Sequence, residues 1–387
     1  MTRHERVRAA FAHKVPDRTP LFEIFQPYQP IHWPVCGRNI GTDQSMAWDA
    51  MVDGVDCAEL VEAEARAAFD IAKFFELDMV RLNGATPANY TRPLKLGEYE
   101  WELHGVRYIR NPRTMLVEPA VPVADSDKYA EDNLRTQIES WEAAPEPITV
   151  KPDAVYSRVR ELANEQGIDF VYMAEIGAGT GVAFYPPFML MWMLTEPELV
   201  HKWIDRQKSF SFDYTRQIVG FGYEVVALGG DVSSDKGPFI SPAVYREFIL
   251  PVIQEHVDIV HHSGALAVYT SDGNHWPIKQ EFFFDSGIDG YKEVDRAAGM
   301  TFERLIEAGI DQKVCIIGNI DARHTLCMGT QQQVHDEVID CLKKGQISPG
   351  GHILHASHSV HEDVKPDNYL AAVNAYREYF GLSELSW

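Results

Sequence analysis

The sequence predicts an α/β fold, a single (β/α)8 TIM barrel over residues 1–387 with a β-hairpin insertion at about 98–118, and three observations carry that expectation. Eight short apolar runs occur, nearly all followed by helical sequence, which is the rhythm of a closed parallel barrel. Several of the runs end in an acid, an amide or a histidine, as strands do when their carboxyl ends share one site. No G-x-G-x-x-G follows the first run, which argues against an open dinucleotide-binding sheet.

The elements follow in order. Val7, Ala10 and Phe11 make one face of a helix from Arg3 to His13, broken at Pro16-Asp17-Arg18. A strand from Pro20 to Phe25 leads into a Pro- and aromatic-rich loop, Gln26 to Gly41. Helical sequence at Met46–Val52 and Ala58–Leu77 precedes a second strand, Met79 to Asn83. Glu98 to Ile109 alternates strongly, with Tyr99, Trp101, Leu103, Val106 and Tyr108 between polar residues, and predicts a hairpin turning at His104-Gly105. Asp125 to Val150 is charged and joins this insertion to a helix at Asp153–Gln166. From there strands are expected at Phe170–Glu175, Glu224–Asp231, Leu266–Tyr269 (with Thr270, Ser271 and Asp272 at its carboxyl end and the turn at Gly273-Asn274), Gly290–Val294, Val314–Asn319 and His352–Ser357. Helices fill the intervals: Val182–Leu194, Pro197–Gly220, Pro242–His262, Trp276–Asp285, Phe302–Ala308, Gln331–Lys344 and Pro366–Phe380.

Composition narrows the function. A formal charge of -22 argues against a nucleic-acid or anionic-membrane partner, because a phosphate lattice requires a basic face. No apolar stretch approaches the roughly 20 residues that span a bilayer, and the start lacks a signal-type core, so a cytoplasmic protein acting on a small molecule is expected. Five cysteines without a C-x-x-C spacing favour neither a disulfide framework nor a thiolate zinc finger.

The strand-end residues are Glu23, Asn83, Glu175, Asp231, Asp272, Glu293, Asn319 with Asp321, and His355 with His358. Five or more carboxylates aimed at one cavity repel each other unless protonated, paired or bound to a cation. Asp272, Glu175, Asp231 and Asn319 are therefore the candidate catalytic residues. Lys236, on the loop after GGD (Gly229 to Asp231), and Asn83, Asn274 and Tyr269 are the candidate substrate contacts. Asp272 and His358 are candidate metal ligands, since carboxylate oxygen and imidazole nitrogen are ordinary zinc donors.

Five segments carry a family resemblance: ERVRAAFAHKVPDRTP (Glu5 to Pro20), GDVSSDKGPFISPAVYREFILP (Gly230 to Pro251), YTSDGN, IIGNID (Ile316 to Asp321) and GGHILHASHSV (Gly350 to Val360). With them the chain resembles the uroporphyrinogen decarboxylase superfamily, in its decarboxylase-like branch that includes corrinoid-dependent methyltransferases. That resemblance implies a barrel, a corrinoid either free or on a partner protein, zinc, and a homodimer. The RQAGRY motif that holds substrate carboxylates in true porphyrinogen decarboxylases is replaced here by EIFQPYQPIHW (Glu23 to Trp33). The branch's zinc ligands, a His-x-Cys pair after the fifth strand and a Cys after the eighth, correspond to Thr270, Asp272 and His358. A site of that composition is harder than a thiolate one and suits polarising an oxygen. The expectation is methyl transfer from a methoxylated small molecule to a corrinoid, with a cofactor-free decarboxylase of a small carboxylated substrate as the alternative.

Overall fold

Eight strands form one sheet of parallel neighbours in chain order: β1 (Phe22–Glu23), β2 (Met79–Arg81), β3 (Val171–Ile176), β4 (Val225–Gly229), β5 (Leu266–Thr270), β6 (Gly290–Lys292), β7 (Cys315–Ile317) and β8 (His352–Ile353). The first and last strands meet through a parallel bridge between Leu21 and Leu354, with Leu354 N–H donating to the Pro20 carbonyl at 2.9 Å and Phe22 N–H to the Leu354 carbonyl at 3.0 Å. The sheet is therefore a closed barrel, as the sequence predicts. The computed structural model describes residues 1–26, 30–82, 91–121, 130–141, 149–177, 187–346 and 351–387.

Strand alternation sorts the side chains into two environments. Phe22, Met79, Val171, Met173, Val225, Ala227, Val268, Cys315, Ile317 and Ile353 pack on one another inside the barrel. The intervening residues, such as Val80, Tyr172, Val226 and Tyr269, pack outward against the helices. Val7, Ala10 and Phe11 of the first helix (Arg3–Phe11) join the inner cluster and plug the amino-terminal end. A capping box of Thr2 and Glu5 starts that helix. Its Arg6 reaches the buried Asp78 at 2.5 Å and Asp17 at 2.7 Å, which locks it onto the barrel.

The expected hairpin is larger than its alternation suggested. Leu94–Gly97, Glu100–Leu103, Val106–Arg110 and Val117–Pro119 form a four-stranded antiparallel sheet, whose central turn falls at His104-Gly105 as expected. Trp101 anchors this sheet by donating from Nε1 to Asp49 at 2.9 Å, on the helix Gln44–Asp53. Glu131–Ser140, expected only as a charged connection, is a helix that buries Leu134 and Ile138. Part of the expected loop from Gln26 to Gly41 is helical, at Pro30–His32 and Trp33–Cys36. The expected helix at Val182–Leu194 is seen from Phe188 to Thr195, its start lying outside the described residues. No helix among the described residues is long and apolar enough to cross a membrane.

Candidate active site at the carboxyl ends of the strands

The inward alternation that fills the barrel with apolar groups turns polar in its uppermost layer. Two residues beyond Met79 stands Arg81, and two beyond Met173 stands Glu175; Thr270, Lys292 and His355 occupy the same relation to Val268, Gly290 and Ile353. Register sets Gly229, Thr270 and Lys292 side by side. This layer floors a bowl. A cavity of about 430 Å³ lies on it, touching Arg81, Glu175, Asp231, Thr270 and Glu293. A wider one of about 580 Å³ opens beside it, lined by Asp272, Asp295, Asp321, Arg323 and His358, and Gln26 borders both.

Each charge on the floor has a physical consequence. Lys292 is wholly buried and donates to Glu293 Oε1 at 2.8 Å, and this charge, with that of His358, holds the Glu293 carboxyl below its usual range despite its burial. Glu293 adopts φ 68°, a left-handed conformation that non-glycine residues avoid. Arg81 Nε lies 2.8 Å from Glu175 Oε2, so the two buried groups form an ion pair, although they are not aligned to hydrogen bond. The buried Thr270 hydroxyl has no hydrogen-bond partner among the described residues.

Asp231 and Asp272 stand together above this floor. Asp272 is half-buried, and its pKa is raised to about 6 by burial and by the charge of Asp231, against the opposing influence of His358. Asp231 opens toward solvent, yet the protein packed around its carboxyl and the charge of Glu293 raise its pKa too, although His358 and the backbone N–H of Asp272 oppose this. Two acids with raised pKa values, facing one bowl, make a proton donor available near neutral pH.

The other expected residues divide. His358 is exposed on the rim of the bowl with Asp272. Asn319 is buried and does not face the cavity, because its amide nitrogen donates to the Met300 carbonyl at 3.2 Å and its backbone N–H meets Cys341 Sγ at 3.3 Å. Tyr269 points outward, with its hydroxyl donating to the Gly230 carbonyl at 3.0 Å and its ring edge-on to Phe282, so it is a packing residue. Asn274 accepts from Trp276 N–H at 3.1 Å and shapes the turn after β5. Lys236 is exposed at the tip of a short hairpin formed by Ser233–Ser234 and Gly237–Pro238. Asn83 lies outside the described residues. Lys292 was not among the expected site residues, although a lysine at an inward position of the GYKEV run was a signal.

Asp272 and His358 share a cavity, as expected. Among the described residues, the one group of three or more His, Cys, Asp or Glu whose ligand atoms lie within 4.8 Å of one another is His361, Glu362 and Asp363. Arg113 already pairs with that group, at 3.5 Å from Glu362 and 2.7 Å from Asp363.

The geometry agrees with comparisons to known proteins. Residues 151–379 match the family model described as uroporphyrinogen decarboxylase (URO-D). The chain is 25% identical over 194 residues to the uroporphyrinogen decarboxylase of Psychromonas ingrahamii, covering 47% of this chain and 49% of that protein. It is 27% identical over 158 residues to the methylated-thiol–coenzyme M methyltransferase of Methanosarcina mazei, covering 41% and 40%. The chain thus spans about half the length, or less, of these curated relatives. A solved structure titled methyltransferase from Methanosarcina mazei superposes with a TM-score of 0.62 at 18% identity, covering 98% of this chain and 99% of that one, and so shares the fold. The family match spans more than half of the sequence and includes six of the eight barrel strands, and on that ground the chain belongs to the uroporphyrinogen decarboxylase family.

Proposed function

We propose that this protein is a methyltransferase that moves a methyl group from a methoxylated small molecule to a reduced corrinoid, free or presented by a partner protein. The observation that carries this reading is Asp272, a carboxyl with a pKa of about 6 at the mouth of the bowl beside Asp231. Cleaving a methyl–oxygen bond sends the bonding electron pair to the oxygen, and Asp272 delivers the proton that neutralises it while the methyl passes to the acceptor. The corrinoid supplies the nucleophile for that methyl. Asp231 raises the proton affinity of Asp272, and Lys292 with Glu293 keeps the floor beneath them fixed. The similarity to a methyltransferase of Methanosarcina mazei supports the reaction class.

Decarboxylation of a small carboxylated substrate is the second reading. It is favoured by the same acid pair, which could protonate a carbanion, and by an Arg81 guanidinium held at Glu175 through Nε alone among the described residues. The test is to mix the protein with cob(I)alamin and a panel of methoxylated compounds and to follow methylcobalamin by absorbance. Methyl transfer supports the first reading; its absence, together with carbon dioxide release from a carboxylated substrate, overturns it.

A further inference from the structure

Of the described residues that line the cavity on the bowl's floor, Leu116 alone brings an apolar side chain. The others present charges, hydroxyls, one amide and the pair Gly229-Gly230. Leu116 also differs from them in origin. It is half-buried in the loop 111–116, between the last two strands of the four-stranded sheet inserted between β2 and β3, whereas its companions belong to the barrel strands and the segments that follow them. The barrel floor thus provides charge and hydrogen bonds, and the insertion provides the carbon surface.

The loop holds Leu116 in one place. Asn111 N–H donates to the Leu116 carbonyl at 2.8 Å, and Met115 N–H to the Asn111 carbonyl at 2.9 Å. The Asn111 side-chain oxygen accepts from Arg113 N–H at 2.9 Å, while its amide nitrogen donates to Glu118 at 3.1 Å. Met115 stands at φ 62°, in the left-handed region, so the chain bends sharply just before Leu116. Two tethers fix the loop from outside. Val117 N–H donates to Gln44 Oε1 at 2.6 Å, at the start of the helix Gln44–Asp53. Arg113 reaches Asp363 at 2.7 Å and Glu362 at 3.5 Å, on the segment after β8, and lines the wider cavity with Asp272 and His358. A side chain positioned by so many bonds imposes a shape on what binds beneath it.

We infer that Leu116 determines substrate specificity: it packs on the apolar body of the methoxylated molecule and limits how large that body can be. The assignment deepens the methyl-transfer reading and rests on it for the methoxy group of the substrate, but it is tested by binding, without turnover. Removing carbon from such a contact weakens the ligand that fitted it and makes room for a bulkier one.

The probes are 2-methoxyphenol and the bulkier 2-methoxy-4-propylphenol, titrated into the full chain by calorimetry and by ligand-detected NMR at pH 7. Leu116→Ala should shift the ratio of the two affinities toward the bulkier probe by about tenfold or more. Leu116→Met, which keeps the side-chain volume, should hold that ratio within about threefold of the parent's. Should Leu116→Ala fail to fold by circular dichroism, Leu116→Val carries the same test. A ratio unmoved by the truncation, an equal shift in Leu116→Met, or no binding of either probe to the parent protein overturns the inference. A shifted ratio without methyl transfer to cob(I)alamin would leave the inference standing and overturn the reaction.

Discussion

Glu23 and His355 face each other 3.3 Å apart, carboxyl Oε1 to imidazole Nε2, and neither is reached by solvent. The His355 Nδ1 lies against the Ala356 carbonyl and so carries the ring hydrogen, which leaves Nε2 as an acceptor. Burial pushes the Glu23 carboxyl up to about 8 and, with the charge of Lys292, pushes the imidazole down to about 3. At neutral pH the pair is therefore a neutral acid beside a neutral imidazole, not an ion pair.

Glu23 also accepts from the backbone N–H groups of Ile24 at 2.9 Å and Ala356 at 3.3 Å, so it ties β1 to the segment after β8. Glu23→Ala should cost about 2–3 kcal/mol, because both N–H groups lose a buried acceptor, whereas Glu23→Gln should stay within about 1 kcal/mol. Urea unfolding followed by circular dichroism measures both, and equal losses would show that the carboxyl's bonds contribute nothing.

Asp272 with a pKa of about 6 sets the expected pH profile. If its proton is delivered to the leaving oxygen, the methyl-transfer rate should fall about tenfold per pH unit above 6, and Asp272→Asn should lower it at least about 100-fold. Asp231→Asn removes a like charge, so the ionised form of Asp272 becomes easier to reach and the falling limb should move to lower pH. A limb that stays in place in Asp231→Asn would separate the two acids.

His256 is buried between the helices Leu250–His262 and Pro197–Gly220, with Nδ1 3.0 Å from the Thr215 hydroxyl and Nε2 unpartnered. Burial lowers its pKa to about 4, well below the unfolded value, so the unfolded chain takes up a proton first as pH falls. Its contribution to stability is complete above about pH 6.5 and is lost between there and about 4. His256→Gln should therefore gain on the parent protein as pH falls from 7 to 4.5, by about 1.4 kcal/mol per unit at most. Melting temperatures of the two proteins across that range provide the measurement; a constant difference would mean that His256 is not what titrates.

Gly290 on β6 is where the first helix touches the barrel wall. A Cβ there would come within 2.8 Å of Phe11 Cε1 and 3.0 Å of Val268 Cγ2. Gly290→Ala should destabilise by about 1–3 kcal/mol through overpacking, and Phe11→Leu in the same chain should restore part of the loss, as denaturant midpoints would register.

Much of this architecture was legible because a parallel barrel repeats one signal: an apolar run, a polar end, then helical spacing. Periodicity of two also separates inside from outside, and with Val268 inside it places Thr270 on the floor and Tyr269 among the helices. What periodicity does not tell is where a polar side chain finds its bond. Asn319 stands just beyond the end of β7, but its amide reaches the Met300 carbonyl instead of the bowl. Lys236 follows the same strand as Asp231, but a two-residue turn carries it into solvent. Lys292 reads as an interruption in an apolar run until three dimensions supply Glu293 as its partner.

Closure of the barrel between β1 and β8 also dictates when the fold can be completed. Glu23 and Ala356 are bonded across 333 residues of chain, and Tyr376 seals the same seam by donating to the Thr19 carbonyl at 2.7 Å. Contacts of such long sequence separation form slowly, because the loop must close before they reward it. During synthesis β1 must therefore wait as an open edge until β8 has left the ribosome. A chain truncated before β8 would expose both β1 and β7, two unpaired edges that invite association with other chains.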